Sequence, residues 1–178
     1  VELNLTPLYQ NDVANCRRTS TIVSNRYVEI KDEIKAKTSQ LTVRWNMATQ
    51  AVPQKVSNKI IKLNQSNKAL YLIFDGTDQV EAKAWSTKPT TAYEEQNSDS
   101  YFTGFEFKVA AGATQTVTVK MVPAGDPILN GLDLSTAGVP MDENFESFAL
   151  GSASSGFVSW KMNPPSNGTA KAVLGDVV

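Results

Sequence analysis

Histidine is absent from the 178 residues, and there is a single cysteine. Without histidine the chain lacks the usual general base near neutral pH, the Ser-His and Cys-His nucleophile pairs, and the commonest transition-metal ligand. Zinc and haem chemistry fall with it, so no catalytic residue, no metal site and no cofactor is expected. Cys16 has no second cysteine to pair with, so stability must come from packing or from partner subunits. It reads as a small, partly buried hydrophobe. Arg17 and Arg18 beside it would lower a thiol pKa, but no second group is present to make a nucleophile of it. No stretch approaches the roughly 18 to 20 apolar residues that cross a bilayer, and no membrane insertion is expected. The chain starts at Val1 rather than Met, which fits removal of a leader, trimming of Met or proteolytic maturation, and an extracellular destination is expected. Lys and Arg number 17 against 18 Asp and Glu, for a formal charge of -1. No basic run exceeds Arg17-Arg18, so the concentrated positive footprint of a nucleic-acid-binding protein is missing.

What is present is a period of two. Leu41 to Met47 alternates apolar and polar residues, Val56 to Leu63 is a second strand candidate, and Ala69 to Phe74 is a continuous apolar run. The aromatic and branched content of that run, followed by Asp75-Gly76, favours a strand over a buried helix. Val80 to Trp85 alternates again, which predicts a hairpin over 69–86. Tyr101 to Val109 and Gln115 to Val122, joined by Ala110-Ala111-Gly112-Ala113, predict a second hairpin. Tyr27 to Lys37 suits either a helix or a strand bent at Asp32, with strand preferred. Phe157 to Met162 closes the series before Pro164-Pro165. Residues 124–155 are rich in Gly, Ser, Asp and Pro and read as a long loop. The expected architecture is all-β: one antiparallel β-sandwich over residues 1–178, immunoglobulin-like or jelly-roll-like.

Glu94-Glu95, Asp142-Glu143, Glu146, Asp75 and Asp78 are the carboxylates a glycosidase would draw on. Adjacent strand positions point to opposite faces, and solvated loop charge is the expected use. Asp75-Gly76-Thr77-Asp78 is far short of a calcium ligand set and reads as a turn. Trp45, Trp85 and Trp160 with Tyr93 and Tyr101 form a candidate sugar-stacking platform, with Trp85, Tyr93 and Tyr101 its ligand-facing members. Core packing is the competing use of each Trp. The three N-glycosylation patterns at Asn4, Asn64 and Asn167 are within chance for this composition.

The first six residues, Val1-Glu2-Leu3-Asn4-Leu5-Thr6, place Val1, Leu3 and Leu5 on one face of an extended arm, which Pro7 ends. This start resembles the mature N-terminus of the colonisation-factor (alternate chaperone-usher) class of fimbrial subunits. Ser155-Gly156-Phe157-Val158-Ser159-Trp160-Lys161-Met162 resembles that family's closing strand. The resemblance implies an immunoglobulin-type sandwich missing one strand, completed by the arm of the next subunit. Val1, Leu3 and Leu5 would then be the donor side chains. The implied partners are other copies of the chain, a periplasmic chaperone and an usher, and the implied location is the bacterial cell surface. The expected function is a non-enzymatic subunit of a surface fibre that supports attachment. Two alternatives stand beside it: a virion or phage capsid or decoration protein, and a carbohydrate-binding module. The arm would instead be an ordinary first strand if a strand at 169–174 made the chain self-complete.

Overall fold

A computed structural model describes residues 1–85, 87, 100–135 and 139–141. The strands are β1 (Glu2–Asn4), β2 (Val13–Val23), β3 (Tyr27–Ala36), β4 (Leu41–Thr49), β5 (Val52–Ser57), β6 (Ile60–Gln65), β7 (Lys68–Asp75), β8 (Val80–Trp85), β9 (Tyr101–Val109), β10 (Thr114–Pro123) and β11 (Val139–Pro140). Every pairing is antiparallel. They form an eight-stranded sheet, in the order β1-β2-β3-β10-β7-β6-β5-β11, and a three-stranded sheet, β4-β9-β8. The fold is the all-β sandwich that the alternation predicts.

Each inner face follows the period-two pattern. In β9, Thr103, Phe105, Phe107 and Val109 are buried; in β10, Val117 and Val119 are, with Met121 packed beside them. Phe74 of the large sheet meets Phe105 and Phe107 of the small one at ring distances of 5.2 and 5.5 Å, which fixes the sheets face to face. Tyr27 to Lys37 resolves as strand: Asp32, Ile34 and Ala36 alternate inward while Lys31, Glu33 and Lys35 face solvent.

Four expectations need correction. The predicted hairpin over 69–86 is an arch between sheets, because β7 pairs with β10 and β6 while β8 pairs with β9. The predicted hairpin of β9 and β10 is likewise an arch. In both places the two strands enter different sheets, and their apolar inner faces join the core between the sheets instead of lying side by side. The arch at Gly76 is tight, since a Cβ there would lie 2.9 Å from Val117 Cγ1. Third, the single strand expected from Val56 to Leu63 is the hairpin β5–β6, turning after Ser57. Fourth, β2 was not anticipated. It pairs with β3 along almost its whole length, beyond a turn in which Ser24 and Asn25 take φ of 50° and 54°. The β6–β7 hairpin has the two-residue loop Ser66-Asn67 with φ of 48° and 62°, the backbone of a type I′ turn.

The first part of the expected loop at 124–155 is ordered by local chemistry. Asp126 caps a 3-10 turn, Pro127–Gly131, by accepting from the Ile128 N–H at 2.9 Å, and Arg26 grips the same carboxylate. Leu129 is buried, β11 pairs with β5, and Met141 is fully buried. The closing strand at 155–162, with Trp160, and the tail at 169–174 lie outside the described residues.

Candidate functional site

The two sheets are unequal, and that inequality builds the site. The small sheet ends at β4, which pairs with β9 on one side and, among the described residues, with nothing on the other. Its nine residues give an open edge of about 30 Å. The other edges are short or charged: β1 has three residues, β11 has two, and β8 carries Glu81 and Lys83. Strand β4 has no Pro, no Lys and one charged residue, Arg44, so it lacks the features that normally block edge pairing.

Beneath that edge, between β4 and the β2–β3 end of the large sheet, lies a cleft of about 360 Å³. Leu5, Val13, Cys16, Ile34, Val43 and Trp45 are among its lining residues. Arg18 and Asp32 supply the polar part. Asp32 is 4% exposed, and Arg18 holds it from the neighbouring strand through Nε to Oδ1 and a terminal nitrogen to Oδ2, both at 2.7 Å. The hydrogen bonds with Asp32 raise the Arg18 pKa. The same guanidinium lies 5.9 Å from the centre of the Trp45 ring. Trp45 is 4% exposed, and its indole Nε1 is buried with no hydrogen-bond partner among the described residues. Burial pushes the Cys16 thiol pKa up, the Asp32 charge adds to that, and Arg18 opposes it. The net direction is toward the inert thiol, as a buried small hydrophobe requires.

The N-terminal arm lies along its own β2. The Val1 ammonium donates to the Ser20 carbonyl at 2.8 Å, the Leu5 N–H to the Cys16 carbonyl at 2.8 Å, and the Cys16 N–H to Thr6 Oγ1 at 2.9 Å. The Glu2–Arg17 ion pair at 3.0 Å is exposed on both sides and contributes little. Of the three side chains expected to dock, Leu5 packs against the core and lines the cleft. Val1 remains 85% and Leu3 48% exposed. Leu3 pairs with Arg18, whose side chain faces inward, and among the described residues no strand of the small sheet beyond β4 covers Leu3.

The candidate aromatic platform is not assembled. Trp85 shares the outer face of the small sheet with Lys83 and Glu106, beneath the Arg44 guanidinium at 5.4 Å. Tyr101 has the parity of the buried Thr103 and Phe105, so it points to the opposite face, and Tyr93 lies outside the described residues. Phe102, the register partner of Trp85 and 39% exposed, is the outer-face aromatic that sequence reasoning missed. On that face Glu106 accepts from Arg44 Nε at 2.8 Å and Lys83 Nζ at 3.0 Å. Burial works against its ionisation, but these hydrogen bonds outweigh it and leave the pKa lowered. Asp78 is paired with Lys59 at 2.6 Å. Among the described residues no three His, Cys, Asp or Glu side chains converge as metal ligands. Glu94-Glu95, Asp142-Glu143 and Glu146 lie outside them.

No protein-family model and no curated protein matches the chain. Among solved structures, a crystal structure of heparinase III shares 13% identity over 64% of this chain and 18% of that one, with a TM-score of 0.48. A second heparinase III gene product shares 16% identity over 61% of this chain and 17% of that one, at 0.46. Its lysine-methylated form shares 15% over 64% and 18%, at 0.46. The chain spans less than a fifth of each of these proteins. Likeness at this level assigns neither activity nor ligand.

Proposed function

We propose that the protein is a non-enzymatic structural subunit of a surface fibre, in which the N-terminal arm of one copy adds as a strand to the β4 edge of the next. The observation that carries this is the open β4 edge above an apolar cleft, in a chain whose own arm leaves Val1 and Leu3 exposed. Moving Val1 and Leu3 from their exposed positions into a neighbour's cleft would contribute about 2 to 4 kcal/mol. Main-chain pairing with β4 adds to that, while ordering the arm opposes it. On β2 the arm is held by a three-residue pairing, an exposed ion pair, the hydrogen bonds of Val1, Leu5 and Thr6, and the packing of Leu5 on the core, all of which the neighbour's cleft must replace. Leu5 already lines this cleft, so an identical side chain from a neighbour suits it. A periplasmic chaperone and an usher are the partners this assembly would need, and the bacterial surface is its location.

Deletion of residues 1–6 tests the proposal. The full chain extends into filaments seen by negative-stain imaging, whereas the truncated chain, folded with chaperone help, does not. Truncated protein that polymerises as well as the full chain overturns it. Closed shells from the full chain would favour the virion alternative, and monodisperse particles would remove both.

A further inference from the structure

Trp45 combines two properties that rarely coexist: it is 4% exposed, and among the described residues its indole N–H has no acceptor. A buried donor left unpaired is costly, and native proteins seldom keep one without a use. Trp45 lies near the middle of the open strand and lines the cleft beneath it. Leu5 lines the same cleft, so departure of the chain's own arm clears space beside the indole. The ring is held in place by the Phe105 ring at 6.3 Å and the Arg18 guanidinium at 5.9 Å, and Arg18 is itself fixed by Asp32.

We propose that the Trp45 indole N–H is the anchoring donor of the cleft, donating to a main-chain carbonyl of an extended peptide strand added along β4, the strand being the N-terminal arm of a second copy. This rests on the donor-strand assembly above and goes further by naming the side chain that binds the arm's main chain. A purely apolar slot accepts an alternating strand in any register shifted by two residues. A buried donor in that slot gains an acceptor in each of those registers, because main-chain carbonyls share the two-residue repeat, so it strengthens binding of the arm without choosing among them. Trp45 acts here as a binding residue.

The test uses the full chain and a synthetic peptide of residues 1–6 carrying a fluorophore at its C-terminus. Wild-type protein binds the peptide, and Trp45→Phe, which keeps an aromatic ring and removes only the donor, binds it about three- to tenfold more weakly. Thermal unfolding of Trp45→Phe checks that the fold is intact. Independently of any variant at that position, the indole proton resonances of nitrogen-15-labelled protein are followed during titration, with Trp85 and Trp160 identified by substitution. The remaining indole proton moves downfield on binding if it donates to the peptide. Equal binding by wild type and Trp45→Phe overturns the role of Trp45 and leaves donor-strand assembly standing. Weaker binding by the variant with an unmoved wild-type indole proton also overturns it, since the loss would then come from packing. No peptide binding by the wild type overturns both.

Discussion

Replacing Arg18 with Met probes the polar pair in the cleft wall. Arg18 is a register partner of Asp32 across β2 and β3 and makes two hydrogen bonds to it at 2.7 Å. The two side chains are unequally placed, with Arg18 30% and Asp32 6% exposed. Most of the cost of removing Arg18 is therefore the nearly buried carboxylate left behind, rather than the lost attraction. Stranding one member of a buried pair costs about 3 to 5 kcal/mol, and access of water through the cleft places Arg18→Met near the lower end. Against an expected total stability of about 5 to 15 kcal/mol, that is a large fraction. At a urea slope of about 2 kcal/mol per molar, a 3 kcal/mol loss lowers the midpoint by about 1.5 M with the slope unchanged. The double variant Arg18→Met/Asp32→Leu removes both charges and should recover most of the loss, because apolar replacement of a buried pair is often neutral or stabilising. A midpoint shift below about 0.5 M for the single variant, or a double variant less stable than the single one, would refute the assignment of Asp32 as a carboxylate dependent on Arg18.

Other outcomes follow from the same geometry. Gly104→Ala should destabilise by at least about 3 kcal/mol in urea unfolding, because a Cβ there would lie 1.9 Å from the Trp45 carbonyl oxygen and force β4 away from β9; it should also weaken binding of the arm peptide. The Cys16 thiol should react slowly with a disulfide reagent in the full chain and faster once residues 1–6 are deleted, since Leu5 and Thr6 bond to the Cys16 backbone and Leu5 lines the same cleft; equal rates would mean that the arm does not cover the cleft. Glu106 titrates below its ordinary value, so its contribution is present above the unfolded pKa of about 4.3 and is lost as pH falls through the lower folded value. Glu106→Gln should therefore flatten the acid limb of the stability curve below about pH 4.3, measured by urea unfolding across pH.

Much of the cleft was legible before any coordinates. The alternation in 41–47 predicts Val43 and Trp45 on one face, and that in 101–109 predicts Phe105 and Phe107 inward; all four line the interior or the cleft. Strand β2 escaped notice because its apolar residues are sparse: Cys16, Arg18 and Ser20 share its inner face, and Arg18 is there only because Asp32 opposite neutralises it. That pairing has no signature in a linear pattern, since Asp32 on its own looks like a bend in β3. The candidate aromatic platform failed for a simpler reason. Trp85 and Tyr101 lie on neighbouring strands but have opposite parity once the register pairs Trp85 with Phe102.

Alternation of apolar and polar residues by itself determined that the chain is all-β and which side chains of most strands turn inward, because a pleated backbone sends successive side chains to opposite faces whatever the partner strand is. Partner choice was decided only in three dimensions. The short connections after Asp75 and after Val109 suit a hairpin and an arch equally, and the arch places Phe74 on one sheet and Phe105 and Phe107 on the other, where their rings meet at 5.2 and 5.5 Å. Among the described residues the β4 edge is open for the same reason: three strands face eight, a division between the sheets made only in three dimensions.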